Sequence, residues 1–326
     1  MELFEQLANK IKGQNKTLVF PEGEDARIQG AAIRLAADGL VKPILLGKQS
    51  LIDATAEKHQ FDLSNITVID PASYPEDKLN DMIHELIERR HGKTDTATAK
   101  KWVTDVNYFG TMLVYMNLAD GMVSGATHPT GDTVRPALQI IKTAPGSSRI
   151  SGAFVMQRDD ERYIFADAAI NIDIDAQTMA EIAIQSAKTA KVFGIDPKVA
   201  MLSFSTKGSA KAPQVDKVSE ATKIAKELEP SLALDGELQF DAAFVPEVAK
   251  SKAPDSEIAG QANVFIFPDL QSGNIGYKIA QRLGGFEAVG PILQGLAKPV
   301  SDLSRGANEE DVYKVAIITA AQALEN

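Results

Sequence analysis

Short apolar runs alternate with longer amphipathic segments along the chain. The short runs predict β-strands at residues 17–20, 43–47, 66–69, 121–125, 200–204 and 264–267. Segments with apolar residues at helical spacing predict helices at residues 27–38, 78–90, 100–118, 133–142, 177–192, 215–228 and 274–283. Because strands alternate with helices, the pattern predicts an α/β fold whose sheet is parallel or mostly parallel, with helices on both faces.

A change of pattern near the middle of the chain indicates a second domain. A small-residue cluster at residues 144–148 follows a predicted helix and is typical of a boundary. Beyond it, apolar runs at residues 153–156 and 163–167 flank a charged segment, which predicts an antiparallel hairpin. A length of 326 residues fits two domains of about 100–200 residues each.

Composition narrows the class of protein. Hydrophobic residues make up 44% and charged residues 24% of the chain, and no apolar run approaches the roughly 18 residues of a membrane span. The N-terminus lacks the layout of a signal peptide, so we expect a cytoplasmic protein. The net charge of −10 argues against broad nucleic-acid binding. The chain has 0 cysteines, which excludes disulfides, thiolate nucleophiles and cysteine-based metal sites.

The most informative motif lies between Gly290 and Asp311, near the C-terminus. Its Ser304-Arg305-Gly306 turn precedes the final predicted helix, where Asn308 and Asp311 fit an N-cap with an acidic residue three positions later. Capping is a sufficient explanation for Asp311. The acidic helix start would repel phosphate, however, so it also suits a general base, with the turn supplying a guanidinium and a hydroxyl.

Other polar loops also follow predicted strands. The loop at residues 123–136 offers hydroxyls, backbone N–H groups and Arg135 to an oxyanion, although a capped turn with Asp132 or Thr133 as N-cap would explain it equally well. His128 alone is weak support for a site. The loop at residues 203–211 resembles a phosphate loop in composition but lacks its motif, which disfavours a nucleoside triphosphatase.

Two further polar segments complete the set. Arg89 and Arg90 lie at a helix end, where cations also complement the helix dipole. Residues 267–278 again read as a strand, a polar loop and a helix. Taken together, the loops predict a cleft, built from both domains, that binds polyanionic small molecules. The first strand is not followed by a G-x-G-x-x-G motif, which disfavours a nicotinamide dehydrogenase.

The same segments resemble short, single-unit phosphate acetyltransferases from the first strand to the last helix. The resemblance is carried by residues 123–126, 132–136, 202–210, 235–239, 263–270 and 303–306. It implies the reversible reaction of acetyl-CoA and phosphate to acetyl phosphate and CoA, with CoA or acetyl-CoA as substrate and with no metal, cofactor or prosthetic group. It also implies a homodimer that binds neither nucleic acid nor membrane.

The fold implied by the resemblance has two α/β domains with a cleft between them, as in isocitrate and isopropylmalate dehydrogenases. The first domain would comprise residues 1–145 and 291–326, because the C-terminal segment returns to it, and the second residues 146–290.

The resemblance assigns Asp311 as the base, aided by Ser304 and Arg305. A second group of residues is expected to bind the substrates: Arg135, Arg90, Ser124, Thr130, Thr133 and Lys207. Arg89 is the alternative to Arg90 in this group. Some relatives carry a cysteine where this chain has Ala307. A chain without cysteine cannot form a covalent intermediate in which the acetyl group is bound to the enzyme as a thioester. We therefore expect direct transfer in a ternary complex. Alternatives are a phosphate acyltransferase preferring propionyl or butyryl groups, a decarboxylating dehydrogenase and a non-catalytic CoA-sensing module.

Overall fold

The computed structural model describes residues 3–325, which form two compact units. One unit comprises the chain up to Ala144 together with the segment from Leu296 onward, and the other is Pro145–Gly295. Residues 291–294, which we expected in the first domain, lie in a strand of the second unit, and Gly295 also falls within that unit. Ile292 and Leu293 pair there with Ala153 and Gly152.

The described part of the first unit contains a five-stranded sheet with the order β11-β4-β1-β2-β3. All neighbouring strands in it are parallel. The strands are β1 Thr17–Phe20, β2 Lys42–Leu46, β3 Thr67–Ile69, β4 Gly121–Ser124 and β11 Val300–Asp302. The chain adds β2 and β3 on one side of β1 and β4 on the other, so the topological switch point lies between β1 and β4.

The helices of this unit surround a core in which β1 contributes the fully buried Leu18, Val19 and Phe20. Helix α13 (Glu309–Gln322) packs against α1 (Leu3–Ile11), α2 (Ala26–Ala37) and β4. The helices are α1 Leu3–Ile11, α2 Ala26–Ala37, α3 Gln49–His59, α4 Glu76–Arg89, α5 Thr96–Trp102, α6 Val106–Tyr115, α7 Thr130–Pro136 and α13 Glu309–Gln322, with a 3₁₀ turn at Pro71–Ser73 and a π-helical turn at Ala137–Ile141.

The second unit, within the same described range, contains a six-stranded mixed sheet with the order β10-β5-β6-β9-β7-β8. β5 pairs antiparallel with β6 and β10, and the remaining pairs are parallel. The strands are β5 Ser151–Arg158, β6 Glu161–Ala166, β7 Val199–Leu202, β8 Leu234–Leu238, β9 Val264–Ile266 and β10 Glu287–Gln294. The helices are α8 Ala176–Val192, α9 Pro213–Leu228, α10 Phe240–Phe244, α11 Pro246–Lys252 and α12 Leu270–Arg282.

The α/β class and the hairpin of β5 and β6 confirm the predictions made from the sequence pattern. The single helix predicted at residues 100–118 is wrong, because the structure has α5 and α6 there. Asp105 separates them by accepting hydrogen bonds from the backbone N–H groups of Asn107 and Tyr108, which makes it an N-cap. None of the helices within the described part of the chain is both long and apolar enough to cross a membrane.

Candidate active site at the carboxyl edge of the first sheet

Three adjacent strands of the first sheet end side by side. β11, β4 and β1 are neighbours, and Asp302 at the end of β11 lies opposite Ser124 at the end of β4. The segments that follow these strands therefore meet at one edge of the sheet. Ligands of open α/β sheets bind at this edge, next to the switch point.

The loop after β4 is organised around a carboxylate from the loop after β1. Glu22, which is 5% exposed, accepts backbone hydrogen bonds from Gly125 (3.1 Å), Ala126 (2.8 Å), Thr127 (2.7 Å) and His128 (2.9 Å). Its Oε1 atom also accepts from the Thr127 hydroxyl (2.9 Å) and lies 2.7 Å from Nδ1 of His128. The sequence pattern predicted that these N–H groups would hold a substrate oxyanion. That role of the backbone is not available, since an internal carboxylate occupies the cradle.

The close contact between Glu22 and His128 changes the titration of both groups. Burial by itself would raise the pKa of Glu22, but the hydrogen bonds from His128, Thr127 and Ala126 lower it to about 2. The hydrogen bond to Glu22 raises the pKa of His128, against the effect of burial, and the negative charges of Asp105 and Asp132 act in the same direction. Glu22 is therefore a permanent anion at neutral pH, and His128 holds a proton more readily than an ordinary histidine.

Arg27, in the first turn of α2, connects this loop to the Ser304-Arg305-Gly306 turn. Its Nη1 atom donates to the carbonyl oxygens of Arg305 (3.0 Å) and Ala307 (2.7 Å), and its Nη2 atom donates to that of Ala126 (2.9 Å). The Asp25 carboxylate accepts from Nε (3.0 Å) and from Nη2 (2.8 Å) of the same guanidinium. All five N–H groups of this side chain thus have partners among the described residues, and they hold the two loops in one arrangement.

The turn after β11 exposes the side chains of Ser304 and Arg305 to solvent. Ser304 and Arg305 are exposed, and no described residue accepts a hydrogen bond from the Arg305 guanidinium. The Ser304 Oγ atom accepts from the backbone N–H of Gly306 at 3.2 Å, which leaves its own hydroxyl hydrogen available. Both side chains are therefore able to bind a ligand.

The predicted cap of α13 is confirmed. The Asn308 side chain accepts from the backbone N–H of Asp311 (2.9 Å), and the Asp311 carboxylate accepts from that of Asn308 (3.0 Å). Arg34 of α2 binds the neighbouring Glu309 and Glu310 at 3.3 Å and 2.9 Å. The capping box holds the exposed Asp311 carboxylate in one position beside the turn.

Asp302 is a further carboxylate at this edge. Its Oδ2 atom accepts from the Thr130 hydroxyl at 2.6 Å, while its Oδ1 atom is buried and has no hydrogen-bond partner among the described residues. Burial raises the pKa of Asp302, and the negative charge of Glu22 raises it further. Thr130 is thus engaged with Asp302 in this structure.

Two of the predicted substrate-binding residues are buried. Ser124 is 0% exposed and donates its hydroxyl to Asn107 at 2.7 Å, so that hydrogen is engaged inside the protein in this structure. Thr133 is also 0% exposed; it lies close enough to Asp302 to lower the pKa of that carboxyl without forming a well-directed hydrogen bond. The predicted N-cap at Asp132 or Thr133 is wrong, because α7 begins at Thr130 with Pro129 as its N-cap.

The two adjacent arginines of α4 differ in what they contact. Arg89 donates to the carbonyl oxygens of Ile140 (2.6 Å) and Ile141 (2.9 Å), which commits it to the π-helical turn. Arg90 forms only a long contact to Thr94 (3.4 Å) among the described residues and lies over the Trp102 ring. Its guanidinium is therefore the freer of the two.

Arg135 and Arg90 act on a common neighbour. Burial raises the pKa of Tyr108, and the positive charges of Arg135 and Arg90 oppose that effect. Arg135 is 60% exposed and has only a 3.7 Å contact to Asp132. Both arginines are therefore available to an anion near Tyr108.

Lys207 belongs to the second unit, where it binds Asp235 at 2.6 Å and the carbonyl oxygen of Gly236 at 2.9 Å. Burial would raise the pKa of Asp235, but Lys207 and other donors lower it to about 2. The loop around Lys207 is also closed by an internal carboxylate, because Glu237 accepts from the Gly208 N–H (2.7 Å) and the Ser205 hydroxyl (3.0 Å). Its resemblance to a phosphate loop is therefore only compositional.

Sequence reasoning missed Glu22, Arg27 and Asp302. The available signal for the first two was a polar segment, Pro21-Glu22-Gly23-Glu24-Asp25, directly after the first predicted strand. β11 was not predicted, so Asp302 had no strand end to mark it. Residues 3–325 contain no group of three or more His, Asp or Glu side chains arranged to hold a metal ion.

Comparisons with known proteins identify the family to which this chain belongs. Residues 2–320 match the family described as "Phosphate acetyl/butaryl transferase", and the chain belongs to that family. A protein of Salmonella typhimurium described as a 4-hydroxythreonine-4-phosphate dehydrogenase shares the fold, with 14% identity and a TM-score of 0.55 over 95% of this chain and 99% of that one.

Two relatives are much more similar. The phosphate acetyltransferase of Bacillus subtilis (strain 168) is 59% identical over 323 residues, which cover 99% of both chains. The crystal structure of a phosphotransacetylase from Streptococcus pyogenes has 63% sequence identity and a TM-score of 0.97, and the match covers 99% of this chain and 98% of that one.

Proposed function

We propose that this protein is a phosphate acetyltransferase that transfers an acetyl group reversibly between CoA and inorganic phosphate. The observation that carries the proposal is the match over 99% of both chains to a protein named phosphate acetyltransferase. The exposed Ser304, Arg305 and Asp311, held at one edge of the first sheet, are consistent with it.

In the proposed mechanism Asp311 accepts the proton of the CoA thiol, whose unperturbed pKa is about 8.5. The thiolate attacks the carbonyl carbon of acetyl phosphate directly within a ternary complex. The Ser304 hydroxyl donates to the oxyanion that develops, and Arg305 orients the substrates. The fixed position of the Asp311 carboxylate in the capping box favours this assignment, because a base must be held within reach of the proton that it takes.

Arg135 and Arg90 are proposed to bind the phosphate groups of the substrates. Both guanidiniums are weakly engaged by protein groups, and arginine is well shaped for two-point contact with phosphate. Thr130 would reach a substrate only after leaving Asp302, and Lys207 only after leaving Asp235. The proposal includes the absence of a cofactor, a cytoplasmic location and a homodimer.

The central experiment measures thiol release from acetyl-, propionyl- and butyryl-CoA in the presence and absence of phosphate. We expect phosphate-dependent release that is fastest with acetyl-CoA. Faster thiol release from butyryl-CoA would show that the enzyme prefers the butyryl group to the acetyl group. The absence of phosphate-dependent thiol release from all three acyl-CoA substrates would refute the proposal.

The Asp311→Asn variant separates catalysis from capping. The asparagine oxygen still accepts a hydrogen bond from the Asn308 N–H, so the helix cap remains while the base is removed. We expect kcat to fall by about 10²-fold or more with a modest change in KM. Asn308→Ala is the matched control, since it removes the other half of the cap, at a cost of about 1 kcal/mol, and keeps the carboxylate. An Asp311→Asn variant as fast as the wild type would exclude Asp311 as the base.

A further inference from the structure

The Glu22–His128 contact leaves one ring nitrogen of the histidine unused. Nδ1 lies 2.7 Å from the Glu22 carboxylate and 3.3 Å from the Thr127 hydroxyl. Nε2 has no hydrogen-bond partner among the described residues, and the His128 side chain is 32% exposed. A carboxylate that accepts from Nδ1 fixes both the tautomer and the orientation of the ring. His128 is therefore held with Nε2 available to a ligand.

The charged groups with the largest effect on the pKa of this ring favour its protonated form. The facing groups are Glu22 from the loop after β1, Asp105 from the start of α6 and Asp132 from α7, and all three are carboxylates. Four backbone N–H groups and a hydroxyl hold Glu22, so its position does not depend on the histidine alone. The imidazolium form of His128 is accordingly stabilised by several fixed groups.

Hydrogen bonds from Arg27 connect the loop that carries His128 to the Ser304-Arg305-Gly306 turn. Arg27 donates to the carbonyl oxygen of Ala126, two residues before His128, and to that of Arg305. The loop that carries His128 and the turn that carries Ser304 and Arg305 are thus held, through backbone carbonyl oxygens, by one guanidinium.

The proposed reaction requires a proton at the phosphate end of acetyl phosphate. When the thiolate displaces phosphate from the acetyl phosphate dianion, the leaving group departs as a trianion unless an acid protonates it. The proposed base removes a proton from the thiol and cannot serve as that acid in the same step. Arginine side chains donate hydrogen bonds but do not give up their protons. Histidine titrates in the range where it can both hold and transfer a proton.

We propose that His128, positioned by Glu22, is the general acid that protonates the departing phosphate, an inference that rests on the proposed acetyltransferase function. The C–S bond forms between the CoA sulfur and the acetyl carbon, and the C–O bond to phosphate breaks. The electron pair of that bond goes to the phosphate oxygen, which takes the proton from Nε2. The thiol proton goes to Asp311, and solvent returns one proton from Asp311 to His128. In the reverse direction neutral His128 accepts the proton of the attacking phosphate.

The kinetic test uses His128→Asn. The asparagine amide can donate to Glu22 in place of Nδ1, while nothing replaces Nε2. In the direction of acetyl-CoA synthesis we expect kcat to fall by about 10²-fold or more, with the KM for acetyl phosphate changed by less than about threefold. The alkaline limb of the wild-type kcat profile, where His128 loses its proton, should disappear. His84→Asn, at an exposed position of α4, is the matched control and should retain wild-type rates.

A spectroscopic test addresses the role of Glu22. The chain has 4 histidines, so ¹⁵N-resolved imidazole spectra can be assigned by comparing the wild type with His128→Asn. We expect the pKa of His128 to lie above the ordinary histidine value in the wild type and to lose that elevation in Glu22→Gln. A His128 pKa that is not raised in the wild type would refute the positioning by Glu22.

Two results would overturn the role of His128 itself. A higher KM for acetyl phosphate with an unchanged kcat would reduce it to a binding residue, and unchanged values of both would remove it from the reaction. An active wild type with an equally active His128→Asn variant refutes only this inference. A wild type without phosphate-dependent thiol release refutes the proposed function.

Discussion

Replacing Glu22 with glutamine keeps the shape of the side chain but replaces one of its acceptor oxygens with an N–H donor. The backbone N–H groups of the loop at residues 125–128 would then face a neutral amide. The magnitude follows from the pKa of Glu22, which the folded protein lowers from 4.5 to about 2. At about 1.36 kcal/mol per pKa unit, the folded state gains roughly 3 kcal/mol from ionised Glu22 at neutral pH. We expect Glu22→Gln to reduce the free energy of unfolding by about that amount.

The sign of the pH dependence follows from the direction of the shift. A carboxyl with a lowered pKa in the folded state contributes its full stabilisation above its unfolded pKa and loses it as the pH falls through the folded value. The difference between wild type and variant should therefore shrink from about pH 4.5 toward pH 2. It should also decrease as the pH rises through the raised pKa of His128, because Glu22 stabilises the protonated histidine in the wild type only. At the acid end a protonated glutamate and a glutamine are nearly equivalent, so the two proteins should converge.

The assay is urea unfolding at several pH values, followed by tryptophan fluorescence. The chain has 1 tryptophan, Trp102, which lies in the first unit and stacks on Tyr108 at a centroid distance of 4.6 Å. Its emission therefore reports on the unit that contains Glu22. Glu24→Gln, at an exposed position two residues away, is the matched control and should stay within about 0.5 kcal/mol of the wild type. A Glu22→Gln effect below about 1 kcal/mol, or one that does not vary with pH, would refute the reasoning.

Three further predictions concern the same edge of the sheet. Arg27→Lys keeps a positive charge but cannot reach all the carbonyl oxygens that the guanidinium holds. The value of kcat/KM in the thiol-release assay should therefore fall by about tenfold or more. An unchanged value would show that other contacts hold the Ser304-Arg305-Gly306 turn. Arg89→Gln should lower the free energy of unfolding by about 1–3 kcal/mol, whereas Arg90→Gln should mainly raise the KM for acetyl phosphate; the opposite pattern would exchange the two roles. Asp302→Asn should be neutral or stabilising in urea unfolding at neutral pH. A carboxyl with a raised pKa destabilises the folded state above its unfolded pKa, so the advantage of the variant should grow as the pH rises from about 4, and a variant that loses stability over that range would contradict this.

Local patterns were sufficient to predict the α/β class, the hairpin and the capping box at Asn308 and Asp311. Each depends on periodicity or on residues close together in sequence. The Arg305 turn was likewise identified just before the final predicted helix, and the relatives named phosphate acetyltransferase or phosphotransacetylase support the activity that the motifs implied.

Long-range pairing was not accessible in the same way. Nothing in the loop at residues 125–128 shows that Glu22, more than a hundred positions earlier, fills its cradle of N–H groups. The prediction of a substrate anion there identified the right chemistry and the wrong anion. The hydrogen bond from buried Ser124 to Asn107 of α6 was hidden for a related reason, because the two residues lie in different elements.

The return of the chain to the first unit has a consequence for its synthesis. The second unit is one continuous stretch, Pro145–Gly295, and all its strands are synthesised before β11 and α13 of the first unit. The first unit lacks β11 and α13 until synthesis has passed the whole of the second unit, although β1 is made before it. Domains generally fold as units in the order of their synthesis. Here the N-terminal unit is the last to acquire a complete sheet, so a nascent chain truncated anywhere before β11 cannot possess the Ser304–Arg305 turn.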